Sequence, residues 1–512
     1  MIDTHPATAG PTELSASALA RAIAERRLSA REAVEAHIAR IETVNPALNA
    51  VVVTCYDAAR SEADAADRAL REDRIRGPLH GVPITLKEQF TAAGTPSTIG
   101  VASAPADERD GPLVARLRLA GAIVLGKTNV PQLLLYNECD NPVYGRTNNP
   151  ADPARSCGGS SGGEAAIIAA HGSPLGLGSD IGGSLRAPAH ACGIAALKPT
   201  SGRLTNEDAR LSGYAHGQTA IISQPGPMAR SVADLTLAMR VLAAPGQDAF
   251  DPSVAPVAWR EPGAVDVAAL RIGYYEDDGY FPAAPAIRRA VREAVAILEQ
   301  HGASVARFAP PDVGQAMNLF LRIISADGAA GAQRRLGVNQ IDKRIKGLLQ
   351  IVSIPNAIRP FGTGLLVALG QRRLARQVAG IRRSSVDEYW SLIAAQAEYQ
   401  RRFLAELDRG GFDALVCPPH ALPALTHGSA YYLTMAASYS MLYNLLGMPA
   451  GVVPLTRVQP GEDRPRKAGR DLVDTAAAAV ERGSAGLPVG VQVAARPWRE
   501  DVALAVMAAL ET

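Results

Sequence analysis

Charge of one sign is missing from this chain: Lys and Arg number 52 against 50 Asp and Glu in 512 residues. So balanced a chain has no electrostatic footprint for a polyanion, and no nucleic-acid partner is expected. No run of about eighteen apolar residues occurs, the length a membrane-crossing helix needs. The start, MIDTHPATAG, has neither the basic nor the apolar segment of a secretion signal. The expected setting is therefore cytoplasmic. Cysteine is sparse, and positions 55, 139, 157, 192 and 417 contain no CxxC pair. That pattern indicates neither a zinc site nor a disulfide framework and fits a reducing compartment. No metal is expected.

What is present describes an ordinary globular chain, 47% hydrophobic and 20% charged, with 47 Gly and 36 Pro implying many tight turns. At roughly 150 residues per domain the length would allow about three domains, yet large α/β enzymes often fold as one unit. No linker separates two halves, so residues 1–512 are read as a single domain.

From Ser15 to about Glu42 apolar residues recur at helical spacing, and Ser29 with Glu32 three residues on predicts a capping box. AVVVTC leads into a helical stretch from Asp57. GVPITLKEQF reads as a strand with Lys87 near its C-terminal end, and GAIVLGKTN from Gly121 as a second. AIRRAVREAVAILEQHGASVARF predicts helix, turn and strand, while the polar stretch near 458–471 reads as a surface loop. The alternation argues an α/β fold.

Between Asn148 and Thr200 small residues dominate and the glycines cluster: SCGGSSGGEAAIIAAHG, then SPLGLGSDIGGSLRAPAHACGIAALKPT. The first cluster opens a helix that stops at Gly172, and the second leads to a helix start at about Ser184. Gly158 to Gly162 also satisfies G-x-S-x-G. A nucleophile elbow, however, needs an apolar strand immediately upstream, and NNPADPARS is polar and broken by proline. GLGSDIGG lacks the third glycine of a dinucleotide fingerprint.

Lys87 at a strand end, Ser160 in the first glycine loop and Ser184 in the second suffice for hydrolysis without histidine. Cleaving an amide needs a nucleophile, a base and donors for the oxyanion. Glycines leave the N–H groups of Ile181, Gly182, Gly183 and Ser184 accessible around one concavity at a helix N-terminus. Lys87 can act as base only when neutral, which burial beside Ile84 and Leu86 would favour.

The lysine, GGSSGG and GSDIGGS resemble the amidase signature family of Ser-Ser-Lys hydrolases. TNVPQLLLYNECDNPVYGRTNNP, CGIAALKPTSGRLT, GPMARSVADL, RIGYYEDDGY, SYSMLYNLLGMPAGVVPLT and GLPVGVQVAARPW extend the likeness to its fatty acid amide hydrolase branch. The resemblance implies one α/β domain with a mixed twisted central sheet covered by helices on both faces, no cofactor, Ser184 as nucleophile, Ser160 as the bridging serine after a cis Gly159–Ser160 bond, and Lys87 as terminal base. Ser161 is then expected to hold the lysine, Asp180 and Arg186 to tie down the nucleophile loop, and Leu134, Leu135 and Gly159 to meet the substrate. Cys157 departs from the branch, which has proline there; loop packing is the expected role. His171 and His190 are assigned to capping and core packing.

Amides with fatty acyl or other apolar groups are the expected substrates. Aryl amides, carbamates and esters stay open, as does an amidotransferase-type subunit. A homodimer is expected. Residues 343–386 carry Lys343, Arg344, Lys346, Arg359, Arg372, Arg373, Arg376, Arg382 and Arg383 with no Asp or Glu, interleaved with apolar runs. This segment is read as a helical cap, for which a solvated basic hairpin, a lid and a peripheral membrane contact are all open readings.

Overall fold

Every residue of Pro83–Lys87 and of Ile123–Thr128 is buried, and the two segments run parallel, as strands covered on both faces by helices do. They belong to a computed structural model that describes residues 10–102, 104–207 and 217–511. The strands are β1 (Val51–Thr54), β2 (Pro83–Lys87), β3 (Ile123–Thr128), β4 (Asp140–Asn141), β5 (Gly145–Arg146), β6 (Leu175–Asp180), β7 (Ala195–Lys198), β8 (Gln224–Ala229), β9 (Arg271–Tyr274), β10 (Ser304–Arg307), β11 (Ala414–Cys417), β12 (Ala450–Arg457) and β13 (Pro488–Ala495). β4 and β5 form a small ribbon. The other eleven make one mixed sheet in the order β1-β3-β2-β6-β8-β7-β12-β13-β11-β9-β10. The α/β class is the one expected from the alternation of elements, and the mixed sheet is the one the resemblance implies.

The register explains where the chemistry collects. β2 and β6 are parallel neighbours with Thr85 opposite Gly176 and Leu86 opposite Leu177. Their C-terminal ends, Lys87 on one and Ser179–Asp180 on the other, therefore emerge at the same edge of the sheet, where open α/β sheets place their sites.

The capping box at Ser29 and Glu32 is present. Its helix, Ala30–Leu48, runs past the expected end near Glu42, because Leu48 continues the buried stripe of Val34, Ile38 and Ile41. Asn49, in the left-handed region, then stops it. The helix of the second glycine cluster is Arg186–Cys192, so Ser184 sits in the loop just before it.

Residues 343–386 fold as three helices rather than a hairpin: Lys343–Ser353, Arg359–Ala368 and Arg372–Gly380. Arg359 is buried and donates to the carbonyls of Val378, Ile351 and Ile354, pinning the middle helix between the other two. Arg344 is also buried and paired with Glu138, Asp140 and Asp342. Arg373 pairs with Asp474, and Arg382 with Glu388. Much of what reads in sequence as a basic surface is thus internal wiring. Among the described residues no helix is long and apolar enough to cross a membrane.

Candidate active site

Three polypeptide segments converge beyond the C-terminal ends of β2 and β6. The first carries Lys87, fully buried, whose Nζ lies 2.7 Å from Ser160 Oγ, 2.9 Å from Ser179 Oγ and 3.4 Å from the Ser179 carbonyl. The second is the loop Cys157–Ser161, in which the Gly159–Ser160 peptide is cis. Only glycine fits at 159, since a Cβ there would stand 2.7 Å from Glu138 N and 2.8 Å from the Tyr136 carbonyl oxygen. The third is Ile181–Ser184. Gly183 has φ +102°, a conformation that side chains oppose. The Ser161 N–H donates to the Ser184 carbonyl at 3.1 Å and ties the second segment to the third.

The third segment is held from below. Asp180 Oδ1 accepts the Gly183 N–H at 2.7 Å and Oδ2 the Leu185 N–H at 3.1 Å. Arg186 grips the same carboxylate twice at 2.9 Å, and Asn444 Nδ2 donates to it at 2.9 Å. Burial opposes the charge on Asp180, but Arg186 more than offsets this and holds the carboxyl well below its usual range. Asp180 and Arg186 were expected at this loop. Asn444 and Gln492, which accepts from Arg186 at 2.8 Å, lie some 260 and 310 positions along the chain and carry no local sequence signal. The Gly183 N–H is already committed to Asp180, which leaves Ile181, Gly182 and Ser184 as the members of the expected oxyanion set that face the cavity.

Burial lowers the Lys87 pKa to about 7, against the smaller opposing pull of Cys139, Asp180 and Glu164. A low pKa alone does not mark a base here. Burial also brings Lys198 to about 7 and Lys127 to about 8. Among the described residues Lys198 Nζ donates only to the Pro199 carbonyl, and Lys127 meets Ser97 and the Pro96 carbonyl. Lys87 alone of the three touches the glycine loops. Glu164, buried behind it, accepts from the Thr85 and Thr128 hydroxyls, and burial raises its pKa to about 7.

Ser161 does not meet the lysine directly. Its hydroxyl donates to the Ser179 carbonyl at 3.2 Å, and Ser179 makes the contacts expected of Ser161. The sequence reading passed over Ser179 because GSDIGGS draws attention to its last serine. Cys157 packs inside the loop, fully buried, and His190 bonds to Leu422 and Gly490 in the core.

Ser184 opens into a cavity of about 140 Å³. Leu134 and Leu135 line it as expected; Gly159 does not, being turned toward the 136–138 backbone. Much of the remaining wall is apolar, with Phe320 and Ile324 on the helix Val313–Ile324, Leu348 and Val352 on the helix Lys343–Ser353, and Ile381 and Met441, while Asn137, Asp327 and Gln377 add polar groups. Leu348, Val352, Gln377 and Ile381 of the segment 343–386 thus form part of the cavity wall. Among the described residues no group of His, Cys, Asp and Glu could hold a metal ion.

The Amidase family model matches residues 32–504. The chain is similar to "Fatty-acid amide hydrolase 1" of Sus scrofa, 37% identical over 85% of this chain and 76% of that one. It is also similar to "Fatty acid amide hydrolase 1" of Caenorhabditis elegans, 34% identical over 94% and 84%. A solved structure described as "Fatty acid amide hydrolase" superposes with a TM-score of 0.84 at 26% identity, covering 98% of this chain and 85% of that chain.

Proposed function

The chain belongs to the amidase family and is an amide-hydrolysing enzyme, and from that premise we propose that it cleaves amides with apolar acyl groups through a Ser184–Ser160–Lys87 relay. The observation that carries this reading is the 2.7 Å approach of buried Lys87 Nζ to Ser160 Oγ, with Ser184 lining a mostly apolar cavity. Neutral Lys87 accepts a proton from Ser160, which accepts one from Ser184 as the Ser184 oxygen attacks the carbonyl carbon. The N–H groups of Ile181, Gly182 and Ser184 receive the developing oxyanion. The proton returns through Ser160 to the leaving amine, the C–N bond breaks, and water releases the acid from Ser184 by the same relay.

Cavity size supports a second reading. About 140 Å³ is close to the roughly 150 Å³ apolar void that takes up benzene in an engineered protein, so an aryl or medium-length acyl group fits without movement. A longer chain requires the cap helices to part. A hydrolysis panel of straight-chain amides of graded length beside anilides and carbamates tests both readings. A preference for acetamide over every apolar acyl group would overturn them.

The middle cap helix supports a further part of the proposal, contact with an anionic membrane surface. Ile358, Phe361, Leu365 and Leu369 are 53–81% exposed on it, and Arg372 and Arg376, both exposed, follow at its end. Apolar side chains beside free cations are what an interfacial helix needs.

A further inference from the structure

Gln89 lies two residues beyond Lys87, is fully buried, and reaches the site only through Ser179. The Ser179 hydroxyl donates to Gln89 Oε1 at 2.7 Å. Around Lys87 Nζ stand Ser179 Oγ, the Ser179 carbonyl and Ser160 Oγ. A neutral amine has two N–H bonds and one lone pair to distribute among these three. The carbonyl can only accept. The Ser179 hydroxyl, its single hydrogen given to Gln89, can only accept from the lysine as well. Both N–H bonds are then committed to Ser179, and the lone pair is left for Ser160, whose hydroxyl must donate. That is the direction base catalysis requires.

The opposite polarity would disable the site. With the Gln89 amide reversed, its NH₂ would donate to Ser179, and the Ser179 hydrogen would be free to occupy the lysine lone pair. Gln89 Nε2 has no hydrogen-bond partner among the described residues, and an apolar side chain would fill this space without burying an unpaired donor. Packing alone does not account for a glutamine here.

We propose that Gln89 is a positioning residue that sets the polarity of the hydrogen-bond chain, holding Ser179 as an acceptor so that the Lys87 lone pair faces Ser160. The proposal rests on the Ser184–Ser160–Lys87 reading. It is tested by a double-mutant cycle with Gln89→Leu, Ser179→Ala and the pair, followed by kcat, KM and the pH profile. Gln89→Leu is expected to lower kcat by about 10- to 100-fold, a fraction of what general-base catalysis contributes, with KM within about twofold. In the Ser179→Ala background the same change should alter kcat by less than about threefold, because the hydroxyl it controls is gone. Gln89→Glu, whose carboxylate once ionised can only accept, should restore most of the lost kcat on the alkaline plateau. Its acid limb should move to higher pH, since a new negative charge favours protonated Lys87; the titratable groups already facing the lysine, Cys139, Asp180 and Glu164, are unchanged throughout. Should the leucine variant fail to fold, Gln89→Met against Gln89→Glu makes the same comparison. Equal losses in both Ser179 backgrounds, or a glutamate variant no better than the apolar one, would overturn the role of Gln89. Lys87→Ala separates the two failures. If that variant turns over normally, the relay itself falls; if it is inactive and the cycle is additive, only the polarity proposal does.

Discussion

Lys87 Nζ and Ser160 Oγ meet at 2.7 Å with both side chains sealed from solvent. Burial favours the neutral form of a lysine so placed and makes it the proton acceptor nearest to Ser160. Removing any one of Lys87, Ser160 and Ser184 should therefore remove nearly the whole effect. Ser184→Ala is expected to lower kcat by about 10³- to 10⁶-fold, and the triple variant Lys87→Ala/Ser160→Ala/Ser184→Ala to be little worse than the most damaging single one. Steady-state kinetics of the four variants checks this, and additive losses would mean that the three do not act as a unit.

The pH dependence follows from the same burial. With its pKa lowered to about 7, Lys87 is an effective base only above that value, so kcat/KM should rise through about pH 7 and level off. Stability runs the same way. The folded pKa lies below the unfolded value, so the unfolded chain binds the extra proton and folding is favoured progressively from about pH 7 to about 10.4. Lys87→Met, which has no charge to bury, should therefore raise the melting temperature at neutral pH, with the largest gain at or below pH 7. A melting temperature lowered by this substitution would show that the lysine is not held at a cost.

How much of this could be read from the chain differs between residues. Ser160 and Ser184 stand out because close backbone approach demands clustered glycines, and that demand is local in sequence; Lys87 is marked only by its strand end and by the family resemblance. Asp180 and Arg186 stand beside the nucleophile and were legible for the same reason. Ser179, Gln89 and Glu164 were not, because what they do depends on which strand lies beside β2, and the β2–β6 pairing is a property of the sheet. The segment 343–386 stands out by composition, but the partners of its arginines do not. Arg344 meets Glu138 across 206 positions, and no composition count shows that a cation is already paired.

The apolar wall gives a graded expectation. Each methylene added to the acyl group should gain about 0.8 kcal/mol, roughly fourfold in kcat/KM, until the cavity is full. Leu348→Trp, placed on the cap side of the cavity, should move that ceiling to shorter chains while leaving acetamide turnover within about threefold, since uniform binding of the short substrate does not reach it. A ceiling that stays put would place the acyl group elsewhere.

The exposed face of the middle cap helix predicts binding to vesicles containing phosphatidylserine that weakens with salt, with each well-placed cation adding about 1 kcal/mol. Phe361→Ser/Leu365→Ser/Leu369→Ser should abolish it and spare turnover of short soluble amides. Co-sedimentation at low ionic strength decides the matter; no binding by the wild type would leave this face to another partner.

The identity of the attacking oxygen is the centre of the account, and a fluorophosphonate probe followed by peptide mass spectrometry measures it directly. The adduct is predicted on Ser184, with a labelling rate that rises through about pH 7 and collapses in Lys87→Ala. An adduct on Ser160, or labelling of Ser184 at an undiminished rate without Lys87, would contradict it.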